Sequence, residues 1–231
     1  MLKLEGCVME NGDFRLRADF EVAKGRRVAV IGPSGEGKTT LLEGIAGFLP
    51  VGTGRVTWKG QPITGMAPGE RPVAMLFQDG NLFPHLTAAQ NVGLGLRPAL
   101  RLSPAENAEV AAALERVGLS GLGGRKPSAL SGGQRARVAL ARLVVQRREI
   151  LLLDEPFGAL GPALKDEMLE LVAGLARESG ATVLMVSHDP QDARKFAEEV
   201  ILVEAGIAHP PVETAALFDD PPAALRAYLG G

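Results

Sequence analysis

The stretch IGPSGEGKTT, residues 31–40, ends a short apolar segment and leads into a run of helix-forming residues. It fits the pattern G-x-x-x-x-G-K-[ST], whose glycines let the backbone curl until successive N–H groups point inward. A helix that begins directly after the loop adds the positive end of its dipole. We therefore predict a strand–loop–helix unit that binds phosphate groups. The loop residues are Gly32, Pro33, Ser34, Gly35, Glu36, Gly37, Lys38, Thr39 and Thr40.

Two side chains of this loop have the chemistry to act on a nucleotide. Lys38 is expected to reach the β- and γ-phosphates, and the Thr39 hydroxyl is expected to ligate Mg²⁺. We expect the lysine to face solvent when no nucleotide is bound. The alternative interpretation is a glycine-rich turn that carries an ordinary solvated lysine.

The composition excludes several classes of function. The 231 residues are 46% hydrophobic and carry a formal net charge of −2, so no basic field favours nucleic acid. No apolar run approaches the roughly 20 residues that a bilayer crossing needs. The first residues become polar too early for a secretory signal, and the single cysteine, Cys7, can form no internal disulfide. We expect a cytoplasmic protein that does not span a membrane.

Short apolar runs alternate with helical stretches along most of the chain. Continuous apolar runs are typical of strands buried on both faces, so they predict a mainly parallel sheet. Between residues 87 and 148 the composition becomes helical, most clearly at 104–117 and 134–146. We predict an α/β core, about residues 1–86 and 149–231, with an inserted helical subdomain, about 87–148. The predicted strands are 27–31, 55–58, 73–77, 150–153, 182–186 and 200–203.

The stretch ILLLDEP, residues 150–156, is an apolar strand that ends in two carboxylates. Asp154 is predicted to hold Mg²⁺, and Glu155 to polarise the water that attacks a phosphate. The alternative is a strand that ends in a solvated acidic turn.

A second anion site is predicted at LSGGQ, residues 130–134, which opens a helix. Ser131 can cap that helix, while Gly132 and Gly133, followed by Gln134, expose N–H groups at its positive end. The alternative is an ordinary serine-capped helix start, which is common in general but is disfavoured here by the other motifs.

These motifs occur in the order phosphate loop, Gln78, LSGGQ, Asp154-Glu155 and His188. In that order they resemble the nucleotide-binding subunit of an ABC transporter, over essentially the whole chain. The resemblance implies a single domain over residues 1–231 with an α/β P-loop NTPase (RecA-like) core, an N-terminal antiparallel β portion and an inserted α-helical subdomain. It implies that Gln78, in LFQDGN, senses Mg²⁺ and the transmembrane partner, and that His188 contacts the γ-phosphate.

The resemblance also implies the ligands and partners. ATP and Mg²⁺ would be bound between two copies of the chain in a head-to-tail dimer, with LSGGQ of one copy completing the site of the other. Transmembrane permease subunits would dock on a surface that includes residues 81–86, and a periplasmic solute-binding protein would act indirectly. No nucleic acid is expected, and the location would be cytoplasmic, peripheral on the inner face of the cell membrane.

Within this family, three stretches are most similar to the ATPases of bacterial thiamine importers, namely residues 41–50, 70–96 and 151–168. The chain is also too short for the extra C-terminal β-barrel domain that many other importer ATPases carry. Importers of iron, polyamines or sugars stay open as alternatives, as does a soluble ABC ATPase of DNA repair or translation. A GTPase is disfavoured because the chain contains no N-K-x-D motif.

The sequence departs from the family pattern at two places. Family members stack adenine on an aromatic residue near the start of the domain, and the candidates here are Phe14 and Met9. After the second carboxylate motif the family reads S-A-L-D, whereas this chain places Gly161 where the aspartate is expected. That aspartate helps to couple the two ATP sites, so we expect weaker coupling here.

Overall fold

The computed structural model describes residues 1–78, 81–222 and 225–226, and within them eleven strands form one connected sheet. The strands are β1 (Leu2–Asn11), β2 (Phe14–Val22), β3 (Arg27–Ile31), β4 (Val51–Trp58), β5 (Gln61–Pro62), β6 (Val73–Leu76), β7 (Ile150–Asp154), β8 (Thr182–Val186), β9 (Glu199–Glu204), β10 (Ile207–Ala208) and β11 (Val212–Glu213). The helices are α1 (Lys38–Ala46), α2 (Ala88–Gly93), α3 (Pro104–Arg116), α4 (Gly132–Val145), α5 (Pro162–Ser179), α6 (Pro190–Phe196) and α7 (Thr214–Asp219), with short 3₁₀ turns at Pro68–Glu70 and Pro127–Ala129.

One half of the sheet is parallel and holds the centre of the fold. Its order is β6-β7-β8-β3-β9, and every neighbouring pair in it is parallel. These strands are almost entirely buried, as their continuous apolar sequences predict. Because the strands are parallel, the loops that follow β3, β7 and β8 all leave the sheet at the same edge.

The other half of the sheet is antiparallel and is built mainly from the N-terminal strands. β1 lies between β2 and β4, and β4 pairs with β5. The strand predicted at 55–58 is the second half of β4, which begins at Val51. A two-residue parallel pairing of β10 with β2 joins the two halves of the sheet. The predicted α/β fold with an N-terminal antiparallel portion is therefore confirmed.

Helices α2, α3 and α4 all come between β6 and β7, and they pack on one another. Local sequence explains where α3 begins: Ser103 and Glu106 form a reciprocal capping box, and Pro104 occupies the first turn. The limits of a separate helical subdomain stay a prediction.

Two large hydrophobic clusters lie on opposite faces of the parallel strands. On one face α1 packs through Leu41, Leu42 and Ile45 against the antiparallel strands. On the other face α2 to α5 form a second cluster. The residues at the exit edge of β3, β7 and β8 are thus supported from both sides. Among the described residues, no helix is both long and apolar enough to cross a bilayer.

Candidate nucleotide site

The loop between β3 and α1 has the backbone shape that its glycines allow. Gly32, Gly35 and Gly37 all have positive φ, at 147°, 85° and 99°. A Cβ on Gly32 would collide with the carbonyl oxygen of Val203, and one on Gly37 would lie 2.6 Å from a ring carbon of Phe14. Side chains are therefore excluded at both ends of the loop, which leaves its N–H groups accessible at the N-terminus of α1.

Lys38 lies inside this loop. Its Nζ donates to the carbonyl oxygens of Gly32 at 2.8 Å and Pro33 at 2.7 Å, and only 7% of the residue is exposed. The expectation that it faces solvent was wrong, because the curled loop offers carbonyl acceptors on its inner side. Burial lowers the pKa of the Lys38 ammonium from its ordinary value. An ammonium has three donors, so one remains for an anion in the loop.

A hydroxyl and a carboxylate meet beside the loop. Thr39 Oγ1 donates to Asp154 Oδ2 at 2.9 Å, although 115 residues separate them in sequence. Asp154 ends β7 and is buried, and this burial raises the pKa of its carboxyl. Both oxygens are hard donors of the kind that Mg²⁺ takes, and that ion commonly uses only one or two protein ligands beside substrate phosphates. The donor set therefore fits Mg²⁺.

Glu155 directly follows β7 and His188 follows β8, and their side chains meet at the edge of the sheet where these strands end. His188 Nδ1 lies 3.3 Å from Glu155 Oε2. The Glu155 N–H donates to the Val186 carbonyl at 3.2 Å, and its φ of 43° is unusual for a non-glycine residue. Backbone strain of this kind is frequent where a side chain must be aimed at a functional site.

Ser131 to Gln134 form the first turn of α4. Ser131 Oγ accepts from the Gln134 N–H at 3.2 Å, and Gln134 Oε1 accepts from the Ser131 N–H at 3.0 Å. A Cβ on Gly133 would lie 2.5 Å from Leu164 of α5, so the close packing of α4 on α5 requires glycine at this position. Gly132 is exposed. Among the described residues, no hydrogen bond joins this turn to the phosphate loop of the same chain.

Gln78 is exposed just beyond β6, at the same edge of the sheet as Asp154. Residues 79–80 of its motif lie outside the described residues. Phe77 directly precedes Gln78, and its ring lies 5.4 Å from that of Phe48; further along the chain, the rings of Phe83 and His85 are 6.0 Å apart. We call these four side chains the aromatic surface.

Residues 16–158 match the model of the ABC transporter family. The chain belongs to the ABC transporter family. It is 61% identical, over 230 residues and 100% of both chains, to the thiamine import ATP-binding protein ThiQ of Cereibacter sphaeroides. It is 59% identical, again over all of both chains, to ThiQ of a Ruegeria species.

Solved structures of ABC cassettes have the same fold. The dimeric post-hydrolysis structure of the ATP-binding cassette MJ0796 bound to ADP and Pi matches with a TM-score of 0.80 at 28% identity, over 93% of this chain and 99% of that one. The predictions that this chain is an ABC cassette and an ATPase are therefore confirmed. The roles of individual residues in nucleotide binding stay predictions.

One of the two candidates for adenine stacking in this ABC ATPase was wrong. Met9 is fully buried in β1, where its side chain packs against Gly44 of α1. Phe14 is partly buried, with its ring against Gly37 at the end of the phosphate loop. Phe14 alone therefore stays a prediction for contact with the base.

Sequence reasoning missed two groups that support the site. Arg71 is 3% exposed, and its guanidinium donates to the carbonyl oxygens of Gly44, Ile45, Thr64 and Met66. It thereby satisfies the C-terminal end of α1, whose N-terminus carries the phosphate loop. The second group is an ion cluster around Lys165. Neither group forms a local sequence motif, because their partners come from other elements of the fold.

Proposed function

We propose that the chain is the ATP-hydrolysing subunit of an importer that takes up thiamine or its phosphates. One observation carries the catalytic part: Lys38, the Thr39–Asp154 pair and the Glu155–His188 pair all lie at one edge of the parallel sheet. The names of the ThiQ relatives, aligned over the full chain, support thiamine as the solute.

ATP binds through its phosphates in this proposal. The N–H groups of residues 32–40 and the remaining donor of Lys38 hold the β- and γ-phosphates. Thr39 and Asp154, together with Gln78, would hold Mg²⁺, which neutralises charge on the phosphate oxygens. The bound cation would also stabilise the charge of the buried Asp154 carboxylate, which accepts a hydrogen bond from the Thr39 hydroxyl.

Hydrolysis depends on the Glu155–His188 pair. Glu155 orients the attacking water and accepts its proton, while His188 contacts the γ-phosphate. The 3.3 Å separation of Nδ1 and Oε2 lets each side chain restrict the other. Both groups therefore present their polar atoms to the same small volume.

A second copy of the chain completes the site. The first turn of α4 presents the exposed Ser131 and Gly132 at a helix N-terminus. A helix N-terminus binds anions, and this one makes no hydrogen bond to its own phosphate loop among the described residues. A head-to-tail dimer, in which Ser131–Gln134 of each copy faces the γ-phosphate of the other, explains why this turn is exposed.

The aromatic surface is proposed to receive the transmembrane permease. Phe48 is 54% exposed and Phe83 47% exposed, which is unusual for phenylalanine. Phe77, whose ring contacts Phe48, directly precedes Gln78 in the chain, so a permease that docks here would lie beside the site. The subunit would then be peripheral on the cytoplasmic face of the membrane, and a periplasmic solute-binding protein would deliver thiamine on the other side.

The test is transport by the complete system. The chain is reconstituted with its permease and binding protein in vesicles, and ATP-dependent uptake of labelled thiamine is compared with that of iron, spermidine and maltose. We expect thiamine uptake alone, and its loss in the Lys38→Ala variant. Uptake of another solute would replace thiamine by that solute, while a chain that hydrolyses ATP but forms no complex with the permease would favour a soluble ABC ATPase.

A further inference from the structure

A partly buried ion cluster lies next to His188 in the chain and is not part of the nucleotide contacts described above. Lys165 Nζ is 2.8 Å from Asp189 Oδ2 and 2.9 Å from Asp192 Oδ1. The Ser187 hydroxyl donates to Asp192 Oδ2 at 2.5 Å. The side chains of Lys165 and Asp192 are only 15% and 9% exposed, so the charges of this pair are largely shielded from solvent, whereas the side chain of Asp189 is 36% exposed.

The cluster fixes both neighbours of His188. Asp189 accepts from the Gln191 N–H through Oδ1, at 2.9 Å, and so caps α6 while its other oxygen contacts Lys165. The Asp189 N–H donates to Ser187 Oγ at 3.1 Å. The main chain on either side of His188 is therefore held by side-chain contacts, while the imidazole itself stays exposed beside Glu155.

Lys165 connects this loop to the segment that follows Glu155. Its backbone N–H donates to the Gly161 carbonyl in the first turn of α5, at 2.9 Å. The intervening residues turn back on themselves, with the Gly158 N–H donating to the Glu155 carbonyl at 3.4 Å. The base of α5 and the His188 loop are thus joined by one buried cation.

We propose that Lys165 is a positioning residue for ATP hydrolysis, which fixes the His188 loop against the first turn of α5 and so sets the separation of His188 and Glu155. This inference rests on the proposed roles of those two residues. A buried ion pair is costly to break, because removing one member leaves the other charge buried without a partner. The loop therefore has one strongly preferred position relative to α5.

The chain offers a matched control. Lys195 of α6 pairs with Asp166 of α5 at 2.7 Å, but the two side chains are 52% and 46% exposed. This pair joins the same two helices and lies on the surface. Its removal deletes one lysine charge and one α5–α6 ion pair without uncovering a buried carboxylate.

The experiment compares steady-state ATP hydrolysis and equilibrium ATP binding in four full-length proteins: wild type, Lys165→Met, Lys165→Arg and Lys195→Met. For Lys165→Met we expect kcat to fall by about 10-fold to 100-fold, because a displacement of about 1 Å at a reacting group has such effects. KM and the ATP dissociation constant should change less than about threefold. Lys165→Arg should recover most of kcat, and Lys195→Met should match wild type.

An unchanged kcat in Lys165→Met, or equal losses in Lys165→Met and Lys195→Met, would overturn the positioning role. Asp189→Asn serves as a second variant if Lys165→Met does not fold. Asparagine retains the cap of α6 but lacks the charge that faces Lys165, so a fall in kcat of about threefold to tenfold at constant KM is expected. A wild-type protein that does not hydrolyse ATP would instead refute the proposed function.

Discussion

Aspartate in place of Gly161 would put a carboxylate at the N-cap of α5. Gly161 has φ −66° and ψ 156°, which suits any residue at an N-cap, and it makes no side-chain cap. A Cβ at this position would have no atom within 4 Å. The substitution is therefore free of steric strain, and its effects come from the cap, the charge and the backbone.

The structure gives the size of the effect in the single chain. Changing an N-cap from glycine to aspartate is worth a few tenths of a kcal/mol, with a similar gain from the helix dipole and from the restricted unfolded chain. Together these make about 1 kcal/mol, which raises Tm by about 2–4 °C in a chain of this size. Thermal unfolding followed by circular dichroism measures this, with Gly161→Asn as the control that caps the helix without a charge.

The effect on the dimer is measured separately. In the Glu155→Gln background, one charge-assisted hydrogen bond to the second copy should lower the dimer dissociation constant about fivefold, or about 1 kcal/mol. Size-exclusion chromatography with ATP gives the dimer fraction, and the Hill coefficient of hydrolysis should rise in the otherwise wild-type protein. If Gly161→Asp and Gly161→Asn give the same dimer fraction, the carboxylate serves only α5 and the reasoning about coupling is refuted.

Glu155→Gln should retain ATP binding but lower hydrolysis by about 10²-fold or more, and turnover close to wild type would remove Glu155 from its role. Lys38→Ala should weaken ATP binding and abolish hydrolysis with an unchanged circular dichroism spectrum; unchanged ATP affinity would contradict the phosphate contact. Arg71→Met should lower the free energy of unfolding by about 3 kcal/mol or more in urea titrations, because the carbonyl groups of Gly44 and Ile45 lose buried hydrogen bonds and those of Thr64 and Met66 lose partly buried ones. Arg148→Met, which loses one exposed hydrogen bond to a carbonyl, should lower it by less than about 1 kcal/mol. Asp154→Asn should raise the Tm of the nucleotide-free protein at pH 7. Burial raises the pKa of the Asp154 carboxyl in the folded state. The protonated carboxyl therefore contributes stability that is fully present below the unfolded pKa and is lost as pH rises through the folded pKa. The difference in Tm from wild type should close as pH falls towards 4, and a difference independent of pH would contradict this assignment.

Local patterns were sufficient for the parts of the site that are contiguous in sequence. The phosphate loop, the carboxylates that end β7 and the cap of α4 each depend on residues a few positions apart. The strand–loop–helix context of residues 31–40 could be predicted because glycine, charge and apolar periodicity all change within one short stretch.

Contacts between distant segments could not be predicted in the same way. The Thr39–Asp154 hydrogen bond requires β8 to lie between β3 and β7, and apolar runs do not specify strand order. Met9 was a candidate for contact with the base by its place near the start of the domain, yet the structure packs its side chain against Gly44 of α1. Arg71 and Lys165 belong to no local motif, and only the tertiary fold surrounds them with acceptors.

The position of β3 in the sheet also constrains when the chain can fold during synthesis. β3 lies between β8 and β9, which begin 155 and 172 residues after it (182 − 27 and 199 − 27), so both neighbours of β3 are synthesised long after β3 itself. The N-terminal strands β1, β2 and β4 pair with one another and need none of this later sequence. On the ribosome, β1, β2 and β4 can therefore pair early. The segment that becomes the phosphate loop cannot become ordered until β9 has been made, because Gly32 packs against the main chain of Val203. Nascent chains that end before β9 should have no ordered loop, and an interrupted translation product would compete for neither ATP nor a partner subunit.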